Sequence, residues 1–350
     1  LSRAPKRKRV SRRIHNTRIA VDDARSSPSR RDHARPASSL APTEAATGPT
    51  SPGSVRGANI KPTRVRAAAG RDPAGEMEVR VMRELRDRNV LITGGALGMG
   101  RSLARLLLRE GCRVAVVDIR EKELGETVAE LLSLGEIRPY TCDISDREAV
   151  YALARRVEDE FGPVDILVNN AGIVNSSPFL EKPDEVIEKT VGVNLLAHFW
   201  TMKAFLPGMV RRGEGHVVNM ASAGGLLGVP YIVDYCATKF AVVGLTESLR
   251  QEFKLRGLGK IRFTYVCPNT VATGMFAGAT AVRFTRLLSP DEVTERIVAG
   301  IKRNRSFIGV PWSVYLVPLT KALTPIPVLD LFNRLMGIAT SSEHTVGRGD

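Results

Sequence analysis

The sequence predicts an α/β domain in which one doubly wound parallel sheet carries helices on both faces. Three observations lead there. Short apolar runs at 89–93, 113–118, 138–142 and 164–169 alternate with helical stretches, the pattern of βαβ units whose crossovers cover both sides of a sheet. The first run leads into Gly94-Gly95-Ala96-Leu97-Gly98-Met99-Gly100 and then a helix through Glu110. Further strands beginning at His216, at Lys260–Val266 and at Ser306–Val310 bring the expected sheet to seven.

With 350 residues, 43% of them hydrophobic, the chain can bury one large core. Its net charge of +14 is unevenly spread: 17 Lys/Arg face 4 Asp/Glu up to Arg71, and 34 face 33 beyond it. The folded part is therefore nearly neutral, which argues against a nucleic-acid partner for it. Residues 1–75 are rich in Arg, Ser, Pro, Ala and Thr without apolar periodicity. Such a segment buries too little apolar surface to offset its ordering entropy and is expected to be a disordered basic tail. Lys6-Arg7-Lys8-Arg9 reads as a solvated charge run, with a nuclear signal or an anionic-surface patch as alternatives. The acid-poor, Arg- and Ser-rich start also fits an organelle import sequence, so import stays open beside a cytoplasmic or peripheral-membrane address. The chain opens with Leu rather than Met, so a start further upstream is expected, and no apolar segment supports secretion. Cys112, Cys142, Cys236 and Cys267 have neither metal-ligand nor disulfide spacing and are expected as reduced thiols; no metal site is expected.

Taken in order, a short helical stretch is expected from Glu76 to about Arg86, then the buried strand Asn89–Thr93. Glycines at the following turn let the backbone approach a pyrophosphate, and the helix N-terminus offers amide donors. The next strand, Arg113–Asp118, ends in an acid 18 residues after Gly100. A carboxylate there accepts both hydroxyls of an adenosine ribose and repels a 2′-phosphate, favouring NAD. Arg120 is close enough to keep NADP open. A helix 121–134, a strand 138–142, Asp143, a helix 146–161 and a strand 164–169 follow, and Asn169-Asn170-Ala171-Gly172 reads as a strand-end turn. A long helix is expected from Pro183 towards Arg211, with Gly192 and Asn194 inside it. Asn is unfavourable in a helix interior, so a solvent-facing Asn194 is one reading. His198 and His216 read as structural.

The chemistry concentrates between Asn219 and Lys239. A strand ends in Ala221-Ser222-Ala223-Gly224-Gly225, and a helix then carries Tyr235 and Lys239 four residues apart. That spacing puts both on one helix face, about 6 Å apart along the axis. An ammonium beside a phenol favours phenolate and lowers its pKa from about 10, so that the tyrosine exchanges a proton with an alcohol oxygen near neutral pH. Ser222, 13 positions earlier, is expected to hydrogen-bond the same oxygen.

Thr93-Gly94-x-x-x-Gly98-x-Gly100, Asn169-Asn170-Ala171-Gly172, Asn194, Ser222 and Tyr235-x-x-x-Lys239 together resemble the short-chain dehydrogenases/reductases, over about Arg86 to Gly337. The resemblance implies a single Rossmann domain and an NAD(P)-dependent oxidoreductase acting on alcohols or carbonyls. It implies Asn194, Ser222, Tyr235 and Lys239 as catalytic residues, with a backbone distortion at Asn194 holding a water near the lysine. Gly94, Gly98, Met99 and Gly100 would take the pyrophosphate side, Asp118 the ribose and Asp143 the adenine. Asn170, Ala171 and Gly172 would brace the central strand, with Tyr235 and Lys239 also touching the cofactor. Pro268, the Val271 backbone and the Thr273 hydroxyl would hold the carboxamide end. Pro268-Asn269 replaces the family's usual Pro-Gly, and Asn tolerates the left-handed conformation that glycine supplies.

A substrate lid is expected at Phe276–Leu288, lined by apolar residues with Arg283 and Arg286. Residues 311–338 are apolar but broken by prolines and charges, which suits a cap on a greasy mouth or a shallow membrane contact rather than a span. The stretches His198–Pro207 and Cys267–Phe276 resemble the branch holding retinol dehydrogenase 10 and 17-beta-hydroxysteroid dehydrogenases 11 and 13, whose animal members usually carry an N-terminal hydrophobic anchor. This implies a lipophilic substrate: a retinoid, steroid or long-chain lipid. The expected organisation is a tail (1–75), a catalytic domain (76–310) and a C-terminal cap and flexible end (311–350), in a homo-oligomer. A 3-oxoacyl-type ketoreductase and a non-catalytic dinucleotide sensor are the alternatives.

Overall fold

The computed structural model describes residues 84–276, 286–338 and 341–342. The expected tail and most of the first helical stretch lie outside these; Glu84–Arg88 form a turn, not a helix, with Leu85 buried beneath it.

Seven strands form the sheet: β1 Asn89–Thr93, β2 Arg113–Asp118, β3 Ile137–Thr141, β4 Ile166–Asn169, β5 Gly215–Met220, β6 Ile261–Pro268 and β7 Phe307–Val310. Their order is β3-β2-β1-β4-β5-β6-β7 and every pairing is parallel. Every residue of β1, β4 and β5 is buried, as required of central strands covered on both faces, and this is why Val90–Ile92, Ile166–Val168 and Val217-Val218 read as unbroken apolar stretches. Of the edge strands, β7 alternates between half-buried and buried positions, and β3 is buried only at Ile137 and Tyr140.

The helices are α1 Gly98–Arg109, α2 Glu121–Leu131, α3 Arg147–Glu160, α4 Asp184–Val191, α5 Ala197–Arg212, α6 Val233–Leu255, α7 Pro290–Lys302, α8 Val317–Leu323 and α9 Ile326–Met336. Alternating side chains of β1 divide the core. Val90 and Ile92 pack with Leu103, Leu107, Val298 and Ile301 on one face, and Leu91 with Val157, Phe205, Met209 and Phe253 on the other. The strand order reverses at β1, flanked by β2 and β4. The carboxyl ends of β1 and β4 therefore open onto the crevice where such sheets hold ligands.

Two expectations are corrected. The long helix from Pro183 is not continuous: α4 passes through a π-helical turn, Gly192–Leu196, before α5. The helix at 121–134 ends at Leu131 and tightens into a 3-10 turn over Leu132–Leu134. Most of the expected lid, including Arg283, lies outside the described residues; Leu288 bridges Val271, and Arg286 is ion-paired with Glu292 at 2.8 Å.

Candidate active site

The Gly-rich turn is built by close approach. A Cβ on Gly100 would stand 2.0 Å from the Gly94 carbonyl oxygen, and one on Gly94 would stand 2.8 Å from the Ala171 Cα. Gly94 and Gly98 both have positive φ, 66° and 57°, which side-chain-bearing residues rarely adopt. The turn is held on β2, where Gly95 N donates to the Val117 carbonyl (3.1 Å) and Ala96 N to Asp118 Oδ2 (3.1 Å). From β4, Asn170 Nδ2 donates to the carbonyls of Thr93 (2.9 Å) and Gly94 (3.0 Å). Thr93 Oγ1 in turn accepts from the backbone of Asn170 (3.0 Å) and Ala171 (3.1 Å). Thr93 thus shares the bracing work with Asn170. Its sequence signal was a hydroxyl ending an otherwise apolar strand.

The first turn of α1 contains no acid, and its N-cap, Leu97, makes no side-chain capping bond. In contrast, Asp146 caps α3 and Ser289 caps α7. The amides at the head of α1 are therefore left for an anion, which suits a dinucleotide pyrophosphate. Gly94, Met99, Asp118, Asp143, Asn170, Ala171, Gly172 and Thr273 line one cavity at this crevice. Gly98 and Gly100 do not line it; Gly98 gives the turn its positive φ and Gly100 packs beneath Gly94 and Asn170. Pro268 is the last residue of β6, and Val271 is buried with its carbonyl accepting from Thr273 N (2.8 Å). The sequence reading missed Ile119, Ile144, Lys189 and Val193, which join the lining through folding rather than through a local motif. Asp118 also accepts from Arg120 N (3.2 Å), and Asp143 from the Ser145 hydroxyl (2.6 Å). Asn269 does not adopt a left-handed conformation, as the Pro-Asn motif had suggested. Its N–H bonds the Val310 carbonyl (2.7 Å), prolonging the ladder between β6 and β7.

Beyond β5, Ser222 opens a 3-10 turn, Ala223–Gly225, its Oγ accepting from Gly224 N (3.1 Å). A Cβ on Gly225 would meet the Lys239 carbonyl oxygen at 2.6 Å, so this turn lies directly on α6. Tyr235 and Lys239 are both buried there. Lys239 Nζ stands 5.6 Å from the Tyr235 ring centre and donates to the Met220 carbonyl at the end of β5 (2.8 Å). The phenol's expected downward shift is overturned. Burial holds the Tyr235 pKa well above 10, with the hydrogen-bonded Ser222 hydroxyl drawing it the other way, and burial pushes the Lys239 ammonium down to about 8. Both shifts have the same cause, since leaving water penalises whichever form is charged. A buried protonated phenol and an ammonium that gives up its proton near pH 8 can together hold and release a proton.

Asn194 is fully buried within the π-helical turn, not solvent-facing. Its side chain clamps Ile173, accepting from the backbone N–H and donating to the carbonyl, both at 2.8 Å. The place a Cβ would take on Gly172 is 3.2 Å from Asn194 Oδ1 and 3.5 Å from Lys239 Nζ, so these three meet. Ser222, Tyr235, Lys239 and Asn194 thus come together from three elements. His216 bonds the Thr264 hydroxyl (2.7 Å). His198 is buried without a hydrogen-bond partner for either ring nitrogen among the described residues, and burial with the nearby Lys239 charge pushes its pKa down to about 3. All four cysteines are free. Cys236, beside Tyr235 in sequence, is buried, and its thiol is pushed up to about 11.

The family profile described as short chain dehydrogenase matches residues 88–283. Estradiol 17-beta-dehydrogenase 11 of Rattus norvegicus is 39% identical over 250 residues, covering 71% of this chain and 84% of that protein. Epidermal retinol dehydrogenase 2 of Mus musculus is 38% identical over 263 residues, 74% of this chain and 85% of that one. Among solved structures, a short chain dehydrogenase/reductase from Burkholderia phymatum in complex with NAD superposes with a TM-score of 0.64 at 28% identity, covering 69% of this chain and 95% of that one.

Proposed function

From the premise that this chain belongs to the short chain dehydrogenase family and is an NAD(P)-dependent oxidoreductase of alcohols and carbonyls, we propose that its substrate is a lipophilic alcohol or ketone. One observation carries this reading: the buried Tyr235, flanked by Ser222 and Lys239, faces an apolar cluster of Val174, Ile232, Met275 and Phe276. The Phe276 ring meets the tyrosine edge-on, with centres 5.8 Å apart. That wall offers a hydrocarbon skeleton contact and a hydroxyl few partners besides the tyrosine and serine. The names of relatives acting on estradiol and retinol support the same class.

In this reading, Tyr235 transfers a proton to or from the substrate oxygen and Ser222 stabilises charge developing on it. Lys239 orients the tyrosine and the ribose end of the cofactor, and Asn194 holds the proton path open beside Gly172. The residues lining the crevice would hold NAD(P), whose nicotinamide supplies or receives the hydride when bound. In the same reading the catalytic domain is 76–310, followed by an apolar cap and the C-terminal end over 311–350. The test is turnover of retinol, estradiol and 1-decanol with each cofactor. We expect turnover of at least one of them, with NAD preferred by about tenfold or more, because a 2′-phosphate beside the Asp118 carboxylate is repelled. Asp118→Asn should shrink that preference. A clear preference for NADP in the unaltered chain would overturn the role given to Asp118 and point to Arg120.

The reading extends to a lipid surface. Neither α8 nor α9 contains a buried residue, and Trp312, Leu319, Leu323, Ile326, Leu331 and Leu335 are all more than half exposed. No helix among the described residues is long and apolar enough to cross a membrane. Apolar side chains presented on short helices, with Lys321 and Arg334 among them, suit shallow insertion at a bilayer interface. The protein should float with phosphatidylcholine–phosphatidylserine vesicles. Leu331→Glu with Leu335→Glu should weaken this by about tenfold or more, since each buried leucine contributes about 1.5–3 kcal/mol. Unchanged vesicle binding in that variant, or a shift from dimer to monomer in its place, would assign the face elsewhere.

A further inference from the structure

A buried ion pair lies beside the site and has no part in the chemistry above. Lys182 follows the 3-10 turn Phe179–Glu181, and Asp234 sits in the first turn of α6. Their side chains are 1% and 2% exposed, and Lys182 Nζ donates to Asp234 Oδ1. The ammonium also donates to the Asn175 carbonyl at 2.8 Å. Asp234 Oδ2 is buried without a hydrogen-bond partner among the described residues. As a stabilising device this arrangement is poor. Desolvating two charges commonly costs as much as their attraction returns, and an unpartnered carboxylate oxygen adds to the cost.

The pair's position gives it a better explanation. Asp234 immediately precedes Tyr235. Asn175 immediately follows Val174, which packs against Tyr235 in the apolar cluster. The segment leaving β4 is pinned along its length: Ile173 by Asn194, Ser176 Oγ by the Ser342 carbonyl (2.5 Å), and Ser177 N by the Tyr231 carbonyl (3.0 Å). Lys182 closes this series with a charged link to the head of α6. Apolar contacts are non-directional, whereas an ammonium shared between one carboxylate and one carbonyl has a single geometry.

We propose that Lys182 and Asp234 are positioning residues, which draw the 173–182 segment onto the head of α6 and so set the wall beside Tyr235 where the substrate skeleton lies. The inference rests on Tyr235 being the proton-transfer group. The test replaces the pair in the full chain by Lys182→Met/Asp234→Leu, an apolar substitute of similar reach, with each single change alongside. Melting temperature, NADH affinity, and kcat and KM for whichever of retinol, estradiol and 1-decanol turns over best are then compared. The single variants should melt lower, each leaving one uncompensated buried charge. The double variant should recover most of that loss and bind NADH as the unaltered chain does. Its kcat/KM should remain between about tenfold and 10²-fold down, the size expected when a reacting group is held slightly out of place. A double variant with undiminished kcat/KM would overturn the proposal. So would one that loses NADH binding together with its melting transition, since that marks the pair as general scaffold. Tyr235→Phe, run in parallel, separates the premise from the inference: turnover that survives it removes the premise, whatever the pair does.

Discussion

Tyr235→Phe should lower kcat by roughly 10²–10⁴-fold, the range of general acid–base catalysis, while NADH affinity and melting temperature stay near those of the unaltered chain. The ring remains, so its packing with Val174, Ile232 and Cys236 and its edge contact with Phe276 survive. What disappears is the transferable proton. Because burial raises the phenol's pKa, the free enzyme keeps Tyr235 protonated throughout the neutral range, which is the form that donates to a carbonyl. Carbonyl reduction should therefore be flat with pH near neutrality, and alcohol oxidation should climb as pH rises. Steady-state kinetics in both directions and NADH fluorescence titration give the comparison. Turnover at the unaltered rate would remove Tyr235 from the mechanism.

Lys239→Met should have the next largest effect, and it should separate activity from stability. Methionine replaces the buried lysine stem without its charge. Turnover should fall by roughly 10²–10⁴-fold with the loss of the group that orients the tyrosine. NADH affinity should fall by about tenfold or more, as expected for one charge-assisted hydrogen bond worth about 1.5–3 kcal/mol. Stability should move the other way. With its pKa depressed from 10.5 to about 8, Lys239 binds fewer protons folded than unfolded between those values. Its contribution is therefore most favourable above about pH 10.5 and is lost as pH falls through about 8. At pH 7 the buried ammonium costs roughly 3 kcal/mol on this accounting, partly offset by its bond to the Met220 carbonyl. The variant should melt at or above the temperature of the unaltered chain at pH 7, and the rise in stability between pH 8 and 10.5 should flatten. A lower melting temperature with intact turnover would reverse both roles.

Much of this was legible along the chain because the signals are local. A strand covered on both faces is apolar on successive positions through its middle, so Val90, Leu91 and Ile92 announce β1 without knowledge of its neighbours. A turn that brings Gly94 O to where a Gly100 Cβ would stand admits only glycine, and it reads as Gly-x-x-x-Gly-x-Gly. The four-residue step from Tyr235 to Lys239 is a property of any helix. The alternation of strands and helices then fixed a parallel sheet and, with it, the end at which a ligand binds.

What folding alone decided depends on burial and on partners distant in sequence. The sequence places an ammonium beside a phenol, and Coulomb attraction by itself lowers the phenol's pKa. The structure encloses both groups, Lys239 turns its ammonium to the Met220 carbonyl, and desolvation dominates the phenol's shift over the Ser222 hydrogen bond, so the shift has the opposite sign. Residue type alone left Asn194 open between a solvent-facing side chain and the relay asparagine, with its distorted backbone, that the resemblance implies; the structure has a π-helical turn there, with Asn194 buried and clamping Ile173, 21 residues away. Lys182 and Asp234 lie 52 positions apart and become a pair when the β4–α4 connection folds across the head of α6. Local spacing dictates which elements form and which residues share a face. The dielectric surroundings of each charge, and the partner that satisfies it, exist only once the layers have closed around it.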